Sequence, residues 1–328
     1  MHYFLINKFI LLFYKMEDKN AYKKINYNFE LLRLILCLWV VFHHCCRNVD
    51  KIKGNFHVPT FMIMSFYFYY NTLKTKNIAR IKHRFQRILI PYIIWPIFIL
   101  FFNNILFKFY GLSPYKKKLL LKDLVLQLIF GGHYHFVFYY QFNLIFLTLV
   151  FNIFSFLFNK KFIFIFQILL IVAYIFQYSY LNVFIFTKYI NAIRFPLGTI
   201  SELLPFAVTG VNLCYLDIAQ KLKKFKKLVI FFIGVIIFLI IEFDIFVEIR
   251  GFIYTGIFFN IGGIFIFILF SLFSLPNRKL IISPLKIITK FTGGIYYIHM
   301  LFYNSLIQKF LFIQKRTIYS SIVIYIIS

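Results

Sequence analysis

Arg33 and His44 stand eleven residues apart in an apolar run. On an α-helix, eleven steps turn through about 1,100°, roughly three turns plus 20°, and rise about 16.5 Å. The two side chains therefore share one stripe, with a cation near one end and an imidazole near the other. Glu30 lies three residues before Arg33, where its carboxylate can pair with the guanidinium. Ionisable groups inside an apolar span are costly, usually face the bundle interior and are functional candidates by default. His43 points about 100° away, which favours His44 as the working imidazole. A hydrogen-bonded imidazole packed between helices is the competing reading of His44.

Arg84 and Arg87, in Arg84-Phe85-Gln86-Arg87, form a second pair. At i and i+3 they lie on one helical face, and forked donors of this kind match phosphate oxygens. They lead into residues 88–91, the start of another apolar run. The competing reading is a topology signal, which suffices for Lys74, Lys76, Arg80 and Lys82. Glu202, Glu242 and Asp244 also fall in apolar runs, where pairing with Arg194 or Arg250 is the conservative reading. Cys37, Cys45, Cys46 and Cys214 show neither metal spacing nor a paired framework, and read as apolar filler.

The elements that must hold these groups follow from composition. Of 328 residues, 62% are apolar or aromatic and 14% are charged, against about 25% charged in a soluble domain. The chain reads as an all-α polytopic transmembrane helix bundle. At about 20 residues per span, nine to ten spans fill it and leave no room for a separate soluble domain. Nine are predicted at 29–46, 58–73, 88–109, 136–158, 162–181, 195–215, 228–247, 252–275 and 294–313. A tenth begins near Ile318. Its eleven residues to Ser328 cover about 16 Å as a helix, about half the hydrocarbon thickness, so this span is short or truncated. Residues 1–28 form a predicted cytoplasmic segment with Met16 as a second candidate start. No small-residue cleavage site follows its short apolar stretch, which argues against a signal peptide. Residues 29–328 form one membrane domain.

Thirty-seven Lys and Arg against ten Asp and Glu would suit nucleic acid in a soluble protein. Here the surplus sits in alternate connections, as cytoplasmic loops require, and places the N-terminus inside. No nucleic-acid partner follows. The apolar stretch 119–130, broken by Lys122, Asp123 and Gln127, is too short to span and is predicted to lie at the interface.

The ordered motifs resemble a family. Phe29-Glu30-Leu31-Leu32-Arg33 through Val40-Val41-Phe42-His43-His44 is similar to the first span of the membrane acyltransferase 3 family, whose signature is an Arg, ten residues, then a His. Residues 58–65, ending at Ser65, resemble its second span. Arg84 and Arg87 match its Arg-x-x-Arg before a Pro-containing helix, and Gly294-Ile295-Tyr296-Tyr297-Ile298-His299 resembles a late span in which Tyr precedes His by three. The segment around 135–138 resembles the start of the fourth span, where a common Trp is absent. Phe66 stands where the family usually has Gly.

The resemblance implies an integral cell-membrane O-acyltransferase. It would carry an acyl group, usually acetyl, from cytoplasmic acetyl-CoA or another acyl-CoA to a hydroxyl of a cell-surface carbohydrate or glycolipid precursor, without a metal. His44 is then the base, Arg33 lines the donor path or steadies the oxyanion, and Glu30 orients Arg33. Arg84 and Arg87 hold the CoA phosphates, while Ser65, Tyr296 and His299 are further candidates. For Tyr296 and His299 a buried structural hydrogen bond is the competing reading. A non-catalytic glycan carrier or flippase, or an inactive family member, are the alternative functions.

Overall fold

The computed structural model describes residues 27–45, 56–74, 78–110, 118–131, 136–158, 162–178, 194–246, 257–273, 275 and 279–302. Every regular element among them is helical. Three helices open the fold: α1 (Tyr27–Cys45), α2 (His57–Lys74) and α3 (Ile78–Tyr110). Next come the short α4 (Leu121–Phe130), a 3-10 turn at Phe136–Phe138 running into α5 (Tyr139–Phe158), and α6 (Phe162–Tyr178). The C-terminal half holds α7 (Arg194–Tyr215), the short α8 (Ile218–Leu222), a 3-10 turn at Lys223–Phe225, α9 (Lys226–Phe246), α10 (Ile257–Leu272) and α11 (Lys279–Phe302).

Most predicted spans agree with these helices to within a few residues, and two differ. α3 starts at Ile78 rather than 88, and α11 at Lys279 rather than 294. In both, the basic stretch that reads as a connection is the beginning of the helix itself. In α11 the cause is a helical period hidden by its charges: Lys286 and Lys290 are exposed, while Leu285, Thr289 and Thr292 are buried on the other face. The predicted tenth segment and residues 1–26 lie outside the described residues.

Among the described residues, one helix is by itself long and apolar enough to cross a membrane, Ile81–Lys108 within α3. It contains Pro91 and Pro96. Proline withholds an N–H, which leaves the carbonyls of Arg87 and Tyr92 without their helical donors. In the same turn Gln141 Nε2 on α5 donates to Ile88 O at 2.7 Å.

The core forms around α2, which packs against α7, α10 and α1. Met62, Ile63 and Phe66 on α2 meet Leu36, Phe206 and Phe267 in one buried cluster. Gly210 lets α7 come close: a Cβ there would stand 2.3 Å from Ile63 O and 3.0 Å from Tyr67 N. Outward surfaces are apolar, with Phe101, Ile153, Leu157, Phe164 and Phe231 exposed, whereas Asn103, Gln127, Gln141 and Asn143 are buried. Large apolar side chains thus cover the outside as well as the core.

Two contacts fix helix directions. The Asn28 side chain donates to Phe273 O and accepts from Leu275 N at 3.0 Å, while Phe29 packs against Tyr67 and Phe267. The start of α1 and the ends of α2 and α10 thus share one end of the bundle. α1 and α11 run parallel, because Arg33 bonds to Thr289 O and, further along both helices, Cys37 bonds to Thr292 O.

Candidate active site

Arg33 is fixed from two sides. Its Nη2 lies 2.6 Å from Glu30 Oε2 and donates to Thr289 O at 2.8 Å. The i, i+3 spacing on α1 makes the ion pair, and the parallel packing of α11 supplies the carbonyl. Its Nε is buried and has no hydrogen-bond partner in the protein. One turn on, Cys37 Sγ donates to Thr292 O at 3.3 Å. Cys37 is therefore a strut between α1 and α11, in addition to filling apolar space.

Arg84 and Arg87 occupy different surroundings although they are three residues apart. Arg84 turns inward, donates through Nη2 to Ser65 O on α2, and lies over the Tyr69 ring at 5.4 Å. Its Nε is also buried without a hydrogen-bond partner. Arg87 is exposed, yet its charge acts on both Arg33 and Arg84. The charge of Arg87 thus links Arg33, which is paired with Glu30, and Arg84, which makes no carboxylate ion pair among the described residues.

Ser65 makes contacts through both its carbonyl and its hydroxyl, since Oγ lies 3.3 Å from Tyr140 OH on α5. Phe66, one residue on, faces elsewhere. It is fully buried and packs edge-on against Phe151 and Tyr69, so its ring fills the core beside α5. The bulk that replaces glycine at this position does not stand between Ser65 and Tyr140.

α11 closes the other side. Tyr296 OH donates to Val137 O at 3.1 Å, and its ring meets Tyr140 edge-on. Tyr297 OH donates to Gln141 Oε1, with its ring stacked on Phe138 and tilted against Trp95. Buried His299 directs Nδ1 at Tyr296 O, 2.8 Å away, and at Ile295 O, 3.2 Å away. A carbonyl only accepts, so Nδ1 carries the hydrogen and Nε2 is the accepting nitrogen of the ring.

His44 lies near the end of α1, and its side chain is outside the described residues, as is that of His43. Its backbone position follows from the register. Offsets of 256 for Arg33–Thr289 and 255 for Cys37–Thr292, carried along two parallel helices, bring His44 level with His299 to within about one residue. The structure therefore joins Glu30 to Arg33 and Ser65 to Arg84, relates the two pairs through the charge of Arg87, and sets Tyr296 and His299 on the helix that carries Thr289. The side chains of Glu202, Glu242, Asp244, Arg194 and Arg250 lie outside the described residues.

Tyr69, Tyr140, Gln141, Tyr297 and Thr289 were not singled out by the sequence. For Tyr140-Gln141 a signal existed, two polar groups in the otherwise apolar run that opens α5. Thr289 acts through its carbonyl, which leaves no trace in residue type.

Described residues that are helical in every regular element, with one membrane-capable helix, apolar outer surfaces and part-buried Arg33 and Arg84, fit in class a helical membrane protein. The chain belongs to the acyltransferase 3 family, whose model, described as an acyltransferase domain, matches residues 26–328. No curated protein and no solved structure matches it.

Proposed function

We propose that this chain is an integral-membrane O-acyltransferase of nine to ten spans. It moves an acyl group, with acetyl first, from cytoplasmic acyl-CoA to a hydroxyl of a cell-surface carbohydrate or lipid-linked glycan. The observation that carries the reading is the pair of part-buried guanidiniums, Arg33 and Arg84, each with a buried Nε that has no hydrogen-bond partner in the protein, and exposed Arg87 close enough for its charge to act on both. A cation excess facing inward suits a polyanionic donor such as CoA, because buried guanidiniums need anionic partners. The apolar exterior supports a lipid surround, and the basic connections support a cytoplasmic N-terminus in the cell membrane.

The chemistry gives each of these groups one role. Arg87, exposed, meets the donor phosphates first, and Arg84 adds the donors that Ser65 O does not use. Arg33, about 16.5 Å along α1 from His44, lines the donor path. His44 takes the acceptor hydroxyl's proton as that oxygen attacks the carbonyl carbon. The carbon–sulfur bond then breaks, and the leaving CoA sulfur receives the proton from the imidazolium, which restores the base. No metal enters this sequence.

The test is acyl transfer, or acyl-CoA hydrolysis where no acceptor is known, by membranes with matched protein abundance. His44→Ala should lower the rate by about 10²–10⁴-fold with acyl-CoA binding retained, and His43→Ala should cost far less. Equal rates in wild type and His44→Ala would overturn the assignment and favour a carrier or an inactive member.

A further inference from the structure

The connection between α7 and α9 carries Lys221, Lys223, Lys224, Lys226 and Lys227. Positive-inside bias accounts for its sign, but not for its construction. The chain turns at Asp217, whose φ of 52° is left-handed. Asp217 O then accepts from Gln220 N and Lys221 N, each at 3.1 Å, so α8 starts from a fixed point. Ile218 and Leu222 pack against the main core and hold the segment from beneath.

Lys221, Lys224 and Lys227 follow at steps of three, and all are exposed. Side chains three apart are neighbours on a helical surface, so Lys221 in α8, Lys224 in the 3-10 turn and Lys227 at the start of α9 follow one another along one side of the segment. Beside them Phe225, Leu228 and Phe231 form a second row at the same spacing, 60%, 57% and 65% exposed. Among the described residues no carboxylate forms an ion pair with the lysine row.

We propose that this segment is a binding site for anionic phospholipid headgroups. The lysine row meets the lipid phosphates, and the Phe225–Leu228–Phe231 row enters the acyl chains below them. Charge complementarity favours this occupant, and the adjoining apolar row favours a lipid over a soluble anion, because an amphipathic segment seats in the interface through both faces at once. The site lies at the same end as Glu30 and Arg33: the charge of Asp217 acts on Tyr67, which packs against Phe29 at the start of α1. The bound headgroups thus mark the plane at which α1 and α3 present Arg33 and Arg87. The inference does not depend on acyl transfer.

The test uses the full chain carrying Phe225→Trp, in phosphatidylcholine vesicles with a minority of phosphatidylglycerol. Brominated acyl chains are placed on one lipid or the other, and quenching is corrected for Trp39 and Trp95 with the parent protein. Mole for mole, brominated phosphatidylglycerol should quench the new indole roughly fivefold or more over brominated phosphatidylcholine, given the gain expected for each lysine at an anionic surface. Lys221→Gln/Lys224→Gln/Lys227→Gln should bring the two lipids to parity. The same three changed to Arg should keep the preference, as should Lys118→Gln/Lys122→Gln, which alters net charge elsewhere. Equal quenching in the unmodified row, a preference retained by the Gln triple, or one lost in the Lys118/Lys122 control would each overturn the site.

Discussion

Arg33 on α1 donates Nη2 to the carbonyl of Thr289 on α11 across 2.8 Å, joining helices whose residues are 256 positions apart in the chain. Glu30 holds the same nitrogen from within α1. Because Cys37 repeats the α1–α11 contact one turn on, the register of two parallel helices is set at two points, and α11 becomes the rail along which the candidate residues are aligned.

That register predicts that His44 and His299 face the same level. In a chain whose remaining cysteines are changed to Ser or Ala, His44→Cys/His299→Cys should cross-link with a bifunctional thiol reagent spanning about 8–10 Å, the usual distance between packed helix axes. Pairing His44→Cys with Thr292→Cys should give little product. Stronger cross-linking to position 292 than to position 299 would show that the helices diverge beyond Cys37.

The two arginines of α3 should separate under mutation. Arg84→Ala removes a buried charged donor from Ser65 O and its contact with Tyr69. It should cost about 2 kcal/mol in stability, the range for a hydrogen bond to a charged group, and also weaken acyl-CoA binding. Arg87→Ala touches an exposed side chain and should leave the melting temperature of the purified protein unchanged while lowering acyl-CoA affinity. Equal melting temperatures for both variants would remove the structural role of Arg84.

Much of this was legible in the sequence. Glu30 and Arg33 are paired by helical spacing alone, and the long apolar runs mark α1, α2, α3 and α5 because lipid-facing helices are apolar over most of their circumference. Arg84 and Arg87 were not separable, since i, i+3 spacing puts two side chains on one face but cannot say that one reaches across to a neighbouring helix. The early starts of α3 and α11 were hidden for a related reason: Lys and Arg look like a loop until the buried face opposite them is known. Contacts made through a main-chain carbonyl, at Thr289, Thr292, Ile88 and Ser65, depend on tertiary packing and carry no residue signature.

Gln141 ties three helices through one side chain. Its Nε2 donates to Ile88 O beside the Pro91 turn, and its Oε1 accepts from Tyr297 on α11. Gln141→Leu should strand the Tyr297 hydroxyl and remove the added donor from Ile88 O, at about 1–3 kcal/mol, the penalty for leaving a buried polar group unsatisfied. Tyr297→Phe loses only one bond and should cost less. Thermal unfolding in detergent separates them, and a smaller effect for Gln141→Leu would refute the junction.

The last prediction concerns how closely α7 approaches α2. At Gly210 an added methyl would stand 2.3 Å from Ile63 O and 3.0 Å from Tyr67 N. Both are main-chain atoms, so no rotamer change relieves the clash and the helices must separate. Ile63 and Tyr67 flank Ser65 on α2, and the separation would disturb the carbonyl that receives Arg84. Gly210→Ala should therefore destabilise by about 1–3 kcal/mol, as overpacking does, and lower acyl-CoA affinity with it. Gly234, on the exposed side of α9, has nothing within 4 Å of its added methyl. Gly234→Ala should be neutral or stabilise by up to about 1 kcal/mol through helix propensity. Thermal unfolding of both variants in one detergent, beside acyl-CoA binding, is the measurement. Gly210→Ala as stable as Gly234→Ala would mean that α2 and α7 are not in main-chain contact, and that the position of Ser65 against Arg84 has another support.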